Sequence, residues 1–341
     1  MPEQAPGQTL AQAVRRHHGP TSAPGATALV HHLVHRPNTP EGVVLGTTGP
    51  TEQQFAVSAL LPERHPLFND GPNLFHDLHS PAEVLRRTAL FVSHRYFRVP
   101  QERPAVFAAT EVMVTGLDPW RRTPGPAHLT MDITLSPVDV VSGVPRGLEC
   151  ESALYVEGVR CGTATARLVF LMPRVYQNHR ERGRVLSRGR FTGPEDGELW
   201  ANEPAAKAVG RADQANVLLG RPVQSRQGEL VVEVSVDPRN QVYGEATTDH
   251  VPAMVLIEST RQAALLLAGE LHGFTVNSCV LSRWSARFQG FAEPDLPLHC
   301  RAVAGTLGRS ADGRPALPVT LTLHQGARQI AAVDTVVLQD Y

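Results

Sequence analysis

Apolar and polar residues alternate with period two along several stretches of this chain. QFAVSALL (54–61) and ELVVEVSV (229–236) carry the pattern early in each half. AVFAATEVMV (105–114), LTMDITL (129–135) and LPVTLTLHQGARQIAAVDTVVL (317–338) carry it later. Such alternation predicts strands with one buried face, the habit of antiparallel sheets. Two segments break the rule. EVLRRTALFVSHRYF (83–97) and ESTRQAALLLAGELH (258–272) have helical spacing, and they match each other at a constant offset of 175 residues, both with Glu-x-x-Arg. The likeness extends outward. LVHRPNTPEGVVLG (33–46) parallels KAVGRADQANVLLG (207–220), and YVEGVRCGTA parallels LHQGARQIAA, with Gly158 and Gly326 predicted at hairpin turns.

Each half therefore reads as two strands, one long helix, then three or four strands. One helix among five strands excludes a doubly wound sheet, which needs a helix after each strand. A curved antiparallel sheet wrapped around one helix satisfies the pattern. The predicted fold class is α+β, a tandem or double hot-dog fold. The predicted divisions are a flexible N-terminal arm at 1–26 with a short helix at 9–16, a first hot-dog domain at 27–175, an Arg/Gly-rich linker at 176–204 and a second hot-dog domain at 205–341. The two halves are expected to pair internally.

With 42% hydrophobic residues a mainly disordered chain is excluded. A net charge of -1 gives no positive field for nucleic acid, and there is no helix-turn-helix pattern. The four cysteines, Cys150, Cys161, Cys279 and Cys300, lack CxxC spacing, and His31, His32, His35 and His65 lack metal-ligand spacing, so no metal and no cofactor are expected. The N-terminal stretch has no apolar signal core, and the apolar run 254–268 is interrupted by Glu258 and Arg261. A soluble, cytoplasmic protein that binds neither membrane nor nucleic acid is expected.

The second helix carries the chemistry. Asp249 is the predicted cap and Pro252 falls in the first turn. Apolar residues surround Glu258 on most sides, so its carboxylate needs a partner or a task, and Arg261 lies one turn on. In the first helix, Ser80, Pro81 and Glu83 fit a capping box, while the repeat makes Glu83 the counterpart of Glu258 and Arg86 that of Arg261. His250 is a candidate base at the mouth of the second helix, and His76 and His79 stand at the equivalent place in the first half.

PAMVLIESTRQ (252–262) is similar to the helix start of hot-dog acyl-ACP dehydratases, in which the glutamate is catalytic. The wider pattern more closely resembles the AfsA family of γ-butyrolactone biosynthesis: V-H-R early in the first half, Glu83 with Arg86, Val209-Gly210-Arg211, the D-H-V-P-x-M-V-L-x-E-x-x-R-Q run ending at Gln262, and Glu293-x-Asp295. The chain departs from the family pattern at Ala253, where glycine is usual, at 244–248, where a second histidine is usual, and at 77–83. The resemblance implies transfer of a β-ketoacyl group from an acyl carrier protein thioester to the hydroxyl of dihydroxyacetone phosphate or a similar small acceptor. Glu258 would be the base or orient the hydroxyl, with His250 as rival base and Glu83 as the first-half counterpart. Arg261 or Arg86 would hold the acceptor phosphate, and Gln262 would contribute to substrate binding. The alternatives are a hot-dog thioesterase or dehydratase-like enzyme, and a non-catalytic acyl- or lactone-binding regulatory protein.

Overall fold

The structure, a computed structural model, describes residues 31–36, 51–63, 65, 69–188, 198–199, 201–224, 228–235 and 249–340. The N-terminal arm with its short helix, the 244–248 stretch and much of the later linker lie outside the described residues.

The first half runs β1 (His31–Arg36), β2 (Gln53–Leu61), α1 (His79–Arg95), β3 (Ala105–Val114), β4 (Ala127–Val141), β5 (Val144–Val156) and β6 (Val159–Phe170). Helix α2 (Pro173–Ser187) follows. The second half runs β7 (Glu198–Leu199), β8 (Val223–Gln224), β9 (Glu229–Val234), α3 (Ala253–His272), β10 (Cys279–Phe288), β11 (Leu298–Ala304), β12 (Gly308–Arg309), β13 (Pro315–Gln325) and β14 (Arg328–Gln339). All pairs are antiparallel, and the strands form one 14-stranded sheet ordered β1-β2-β4-β5-β6-β3-β10-β14-β13-β11-β9-β8-β7, with β12 beside β13. This is a double hot-dog fold. The order is a near mirror about β3 and β10, the equivalent strands of the two halves, which pair from Arg283 opposite Met113 to Arg287 opposite Ala109.

The alternation read from the sequence sets which face is buried. In β2 Phe55, Val57, Ala59 and Leu61 are buried, and in β13 Leu317, Val319, Leu321 and Leu323 are. The hairpin turns fall where the glycines predict. Glu157 and Gly158 link β5 to β6 with φ of 48° and 75°, and Gly326 has φ of 56° between β13 and β14. Helix α3 is buried without interruption from Val255 to Ala268, so it is a core helix, closed at its end by Gly273 in the left-handed conformation. Helix α1 buries its first two turns together with Thr88, Ala89, Val92 and Ser93.

Both predicted helix starts shift. The N-cap of α3 is Pro252, without a side-chain cap bond, so Asp249 does not cap it. The N-cap of α1 is Leu78, so Ser80 and Pro81 lie inside the first turn and the capping box does not form. The region expected as a linker opens with a helix. In α2, Arg180, Gly183 and Ser187 face inward at helical spacing, and Pro173 sits at the start. All four cysteines are buried and free. Among the described residues no helix is long and apolar enough to cross a membrane.

Candidate active site at the junction of the halves

Glu258 sits in the second turn of α3 with no solvent exposure, so its charge must be matched by neighbours. Arg211 supplies most of the match. It follows Gly210, whose φ of 71° turns the chain back toward α3, and a Cβ at Gly210 would lie 3.3 Å from Arg261 Nη1. Arg211 donates from Nε to Glu258 Oε1 at 2.8 Å, and its Nη2 lies 2.7 Å from Oε2. This is the bidentate fork that suits arginine to carboxylates. Gln262, one turn beyond Glu258, donates to Oε1 at 2.6 Å and to the Asn216 carbonyl at 2.7 Å, and accepts from the Leu218 amide at 2.8 Å. Arg261 Nε lies 3.2 Å from Glu258 Oε2.

The other side of the knot comes from the first half. Asp77, just before α1, places Oδ2 2.9 Å from Arg261 Nε and 3.4 Å from Arg211 Nη2. His79, the first residue of α1, places Nδ1 3.2 Å from Glu258 Oε2 and 3.3 Å from Asp77 Oδ1. Its backbone amide also donates to Asp77 Oδ1 at 3.1 Å. Neither ring nitrogen of His79 makes a hydrogen bond, Nδ1 meeting the two carboxylates at ion-pair distance only, and the ring stands edge-on to Trp284 with centroids 6.4 Å apart. Trp284 in turn donates to the Thr260 hydroxyl on α3 at 3.3 Å.

Burial pushes the Glu258 carboxyl toward neutrality, but Arg211, Arg261 and His79 outweigh it and hold the group well below the usual carboxylate range. Asp77 is also lowered: burial and Glu258 act to raise it, and His79, Arg261 and Arg211 prevail. The knot thus consists of two ionised carboxylates and two guanidiniums arranged around one imidazole.

Other predicted residues lie elsewhere. Glu83 is 4% exposed and is gripped by Arg86 at 2.6 and 2.7 Å and by Arg87 at 2.6 Å. Against burial, which raises its pKa, these two arginines lower it. No contact joins Glu83 to Glu258 among the described residues. Burial, then Arg87 and Arg211, lowers the pKa of His65. His250 is also away from Glu258. Its Nδ1 is 2.5 Å from Asp249 Oδ1, and its ring packs on Phe291 at 5.0 Å. Arg261 also donates to the carbonyls of Val209 at 3.1 Å and Gly210 at 3.3 Å. The sequence reading assigned no task to Arg211 or Asp77. The one available signal was the V-G-R motif repeated from the V-H-R of the first half.

A cavity of about 30 Å³ adjoins the knot, room for one or two water molecules. Asn73, His76, Asp77 and Arg261 form its polar side, and Leu265 and Val280 are among its apolar walls. His76 is buried with neither ring nitrogen bonded, and burial, then Arg122, lowers its pKa to about 4. Asp77, His79 and Glu258 bring ligand atoms within 4.8 Å of one another, as a metal site would. Arg211 and Arg261 already hold the same carboxylates, so a dication would face two guanidiniums. The donor set suits proton handling better than metal binding.

The sequence profile of the A-factor biosynthesis hotdog domain, AfsA, matches residues 19–172 and 201–338. A 2-oxo-3-(phosphooxy)propyl 3-oxoalkanoate synthase of Streptomyces coelicolor is 29% identical over 271 residues, covering 79% of this chain and 80% of that one. A protein of the same name from Streptomyces virginiae is 30% identical over 234 residues, covering 68% and 74%. Among solved structures, a 12:0-ACP thioesterase from Umbellularia californica aligns with a TM-score of 0.47 and 12% identity, covering 84% of this chain and 94% of that one.

Proposed function

The chain belongs to the AfsA family of A-factor biosynthesis hotdog proteins, and we propose that it is the acyltransferase of a γ-butyrolactone-type signal pathway. It takes a β-ketoacyl group from an acyl carrier protein thioester and places it on the hydroxyl of dihydroxyacetone phosphate. The product is a 2-oxo-3-(phosphooxy)propyl 3-oxoalkanoate, the compound for which the Streptomyces relatives are named synthases. One observation supports putting the chemistry at the junction knot: His79 and Asp77 from the first half meet Glu258 of the second in a buried, charge-matched cluster beside a cavity.

The acceptor hydroxyl must lose a proton as its oxygen attacks the thioester carbon. The C–S bond breaks, a C–O bond forms, and the proton passes to the departing thiolate. Glu258 is a weak base, because two arginines hold it ionised. His79 stands in the position of the base. Two carboxylates face its Nδ1 and favour the proton there, which leaves Nε2, away from both, to receive the hydroxyl proton. Glu258 and Asp77 then stabilise the imidazolium. The N-terminus of α1, where His79 sits, adds the positive end of a helix dipole near the developing oxyanion. Arg261 lies buried in the knot, and Arg86, seven residues or about 10 Å along α1 from His79 and 33% exposed while it holds Glu83, is the arginine left for the acceptor phosphate.

The test is mass spectrometry of the protein with a β-ketoacyl thioester, with and without dihydroxyacetone phosphate. The expected result is a phosphorylated ester that requires the acceptor and is lost in His79→Gln and Glu258→Gln. Free β-keto acid formed at the same rate without acceptor would identify a thioesterase and overturn the proposal.

A further inference from the structure

Helix α2 has no task in the chemistry above, yet its surface is unusual. Its buried side is small and polar, formed by Arg180, Gly183 and Ser187. On its exposed side arginines alternate with aliphatic residues. Arg174, Arg182, Arg184 and Arg188 (the C-cap) are exposed, with Glu181 the one exposed acid of the helix. Val175, Val185 and Leu186 are 43%, 73% and 53% exposed, and Met172, the N-cap, is 53% exposed. Four of the twelve large apolar side chains exposed among the described residues thus fall on this one helix and its cap. At 100° per residue, Arg174, Arg182, Arg188, Val175, Val185 and Leu186 share the outward arc. The helix is strongly basic in a chain whose net charge is -1. A solvated helix has no need of such aliphatic residues, whereas a protein interface uses both arginine and exposed apolar side chains.

The helix is also fixed to the approach to α3. Tyr176 donates to Asp249 Oδ2 at 2.6 Å, and Arg180 donates to the Asp249 carbonyl and, at 2.8 Å, to buried Glu293. Arg184 donates to the same Glu293 oxygen at 2.9 Å. Asp249 leads through His250 and Val251 to the N-cap of α3, and Glu258 lies about 9 Å along the helix from Pro252 at 1.5 Å per residue. Between α2 and Asp249 runs a groove of about 340 Å³, walled by Pro104, Pro173, Gln177 and Arg184 among others. Arg180 also lines it, is 6% exposed, and its Nη1 has no hydrogen-bond partner.

We propose that the outward face of α2 is the docking surface for the acidic face of the acyl carrier protein, and that the adjoining groove receives the carrier's phosphopantetheine arm. This rests on the proposed transfer reaction for the identity of the partner. The occupant is chosen by charge: a basic helix with an aliphatic ridge complements an acidic helix with an apolar one. The groove offers the Arg180 donor to the polar arm and lies at the start of the helix that bears Glu258.

The experiment compares two donors of one β-ketoacyl group, a bacterial acyl carrier protein and N-acetylcysteamine, and separately measures binding of the unacylated, phosphopantetheinylated carrier by calorimetry. The variant is the triple Arg174→Glu, Arg182→Glu, Arg188→Glu, which leaves Arg180 and Arg184 in place. The expected result is carrier binding weakened by about tenfold or more at low salt, a matching rise in KM for the carrier-linked donor, and kcat/KM for N-acetylcysteamine thioester within about twofold of wild type. The triple Arg→Lys variant retains carrier binding. Unchanged carrier binding in the Glu variant overturns the docking surface. So does a wild type that binds anionic phospholipid vesicles through α2 and not the carrier. Failure to turn over either thioester overturns the transferase, while the calorimetry still decides the docking surface by itself.

Discussion

Arg211→Met tests whether the junction knot is held together by charge. The arginine side chain is completely buried, grips both oxygens of Glu258 at 2.7 and 2.8 Å, and stands 3.4 Å from Asp77 and 3.6 Å from Asp70. Methionine fills most of the volume, so the loss is chiefly electrostatic. Removing one partner of a buried ion pair costs about 3–5 kcal/mol. Arg261 remains beside both carboxylates, at 3.2 and 2.9 Å, which places the cost near the lower end. At about 2.1 cal/mol/K of unfolding entropy per residue, the 341 residues give about 0.7 kcal/mol/K, so 3 kcal/mol lowers Tm by about 4 °C. The pH dependence has a definite sign. In wild type, Glu258 and Asp77 have pKa values lowered by folding, so their stabilisation is present above the unfolded values and fades as pH falls through the folded ones. In the variant, burial with one arginine fewer raises the Glu258 pKa, and its neutral form no longer needs the missing cation. The gap between the proteins is therefore widest near pH 7 and narrows toward about pH 4. Thermal unfolding followed by circular dichroism at several pH values measures it. A Tm shift below about 1 °C at neutral pH, or a gap that widens on acidification, would refute the reasoning.

His79→Gln is expected to lower kcat by about 10²–10⁴, the usual span for a general base, and Glu258→Gln, which loses a charge that stabilises the imidazolium, to lower it as well, while His250→Gln stays within about threefold; single-turnover mass spectrometry reads all three. Glu83→Gln is expected to cost about 1 kcal/mol, since Arg86 and Arg87 are 33% and 51% exposed, and to leave transfer largely intact; chemical denaturation and initial rates separate the two effects. Gly162→Ala is expected to destabilise by about 2 kcal/mol, because a Cβ there would lie 2.5 Å from the Met113 carbonyl oxygen on β3, and backbone at a sheet junction yields little; urea titration measures it.

The fold was legible because its signals are local and repeated. The period-two alternation in 54–61 and 317–323, the glycines at 158 and 326, and the all-round apolar character of 254–268 each dictate an element without reference to anything distant. Helix α2 was not legible, because the residues that anchor it are Arg180, Gly183 and Ser187, and an arginine–glycine run normally signals a solvated linker. The helix starts were misplaced for a related reason. Asp249 and Ser80 have the right chemistry for caps, but Asp249 spends its carboxylate on Tyr176 and His250, and Ser80 is buried inside the turn. Within the site, Glu258, Arg261 and Gln262 could be read from i,i+3 and i,i+4 spacing on one helix. Arg211 lies 47 residues before Glu258 and Asp77 comes from the other half, so only the folded sheet brings them together.

Duplication explains why one such knot, and not two, is found among the described residues. The offset of 175 pairs Glu83 with Glu258 and Arg86 with Arg261, and both pairs are retained as Glu–Arg contacts. The additional partners differ. The counterpart of Arg211 is Arg36, which is exposed and pairs with Asp132 at 3.3 Å. The counterparts of Asp77 and His79 are Pro252 and Met254, which can supply neither charge nor a proton. The counterpart of Gln262 is Arg87, which turns back onto Glu83. Glu83 therefore sits in a site satisfied by two arginines of its own helix. Glu258 instead closes a circuit across the junction, with a histidine whose Nε2 remains unbonded. On this account the first half gives up its own chemistry and contributes Asp77 and His79 to the second. A chain truncated to the second half would then keep Glu258, Arg211 and Arg261 and lack the imidazole the reaction needs.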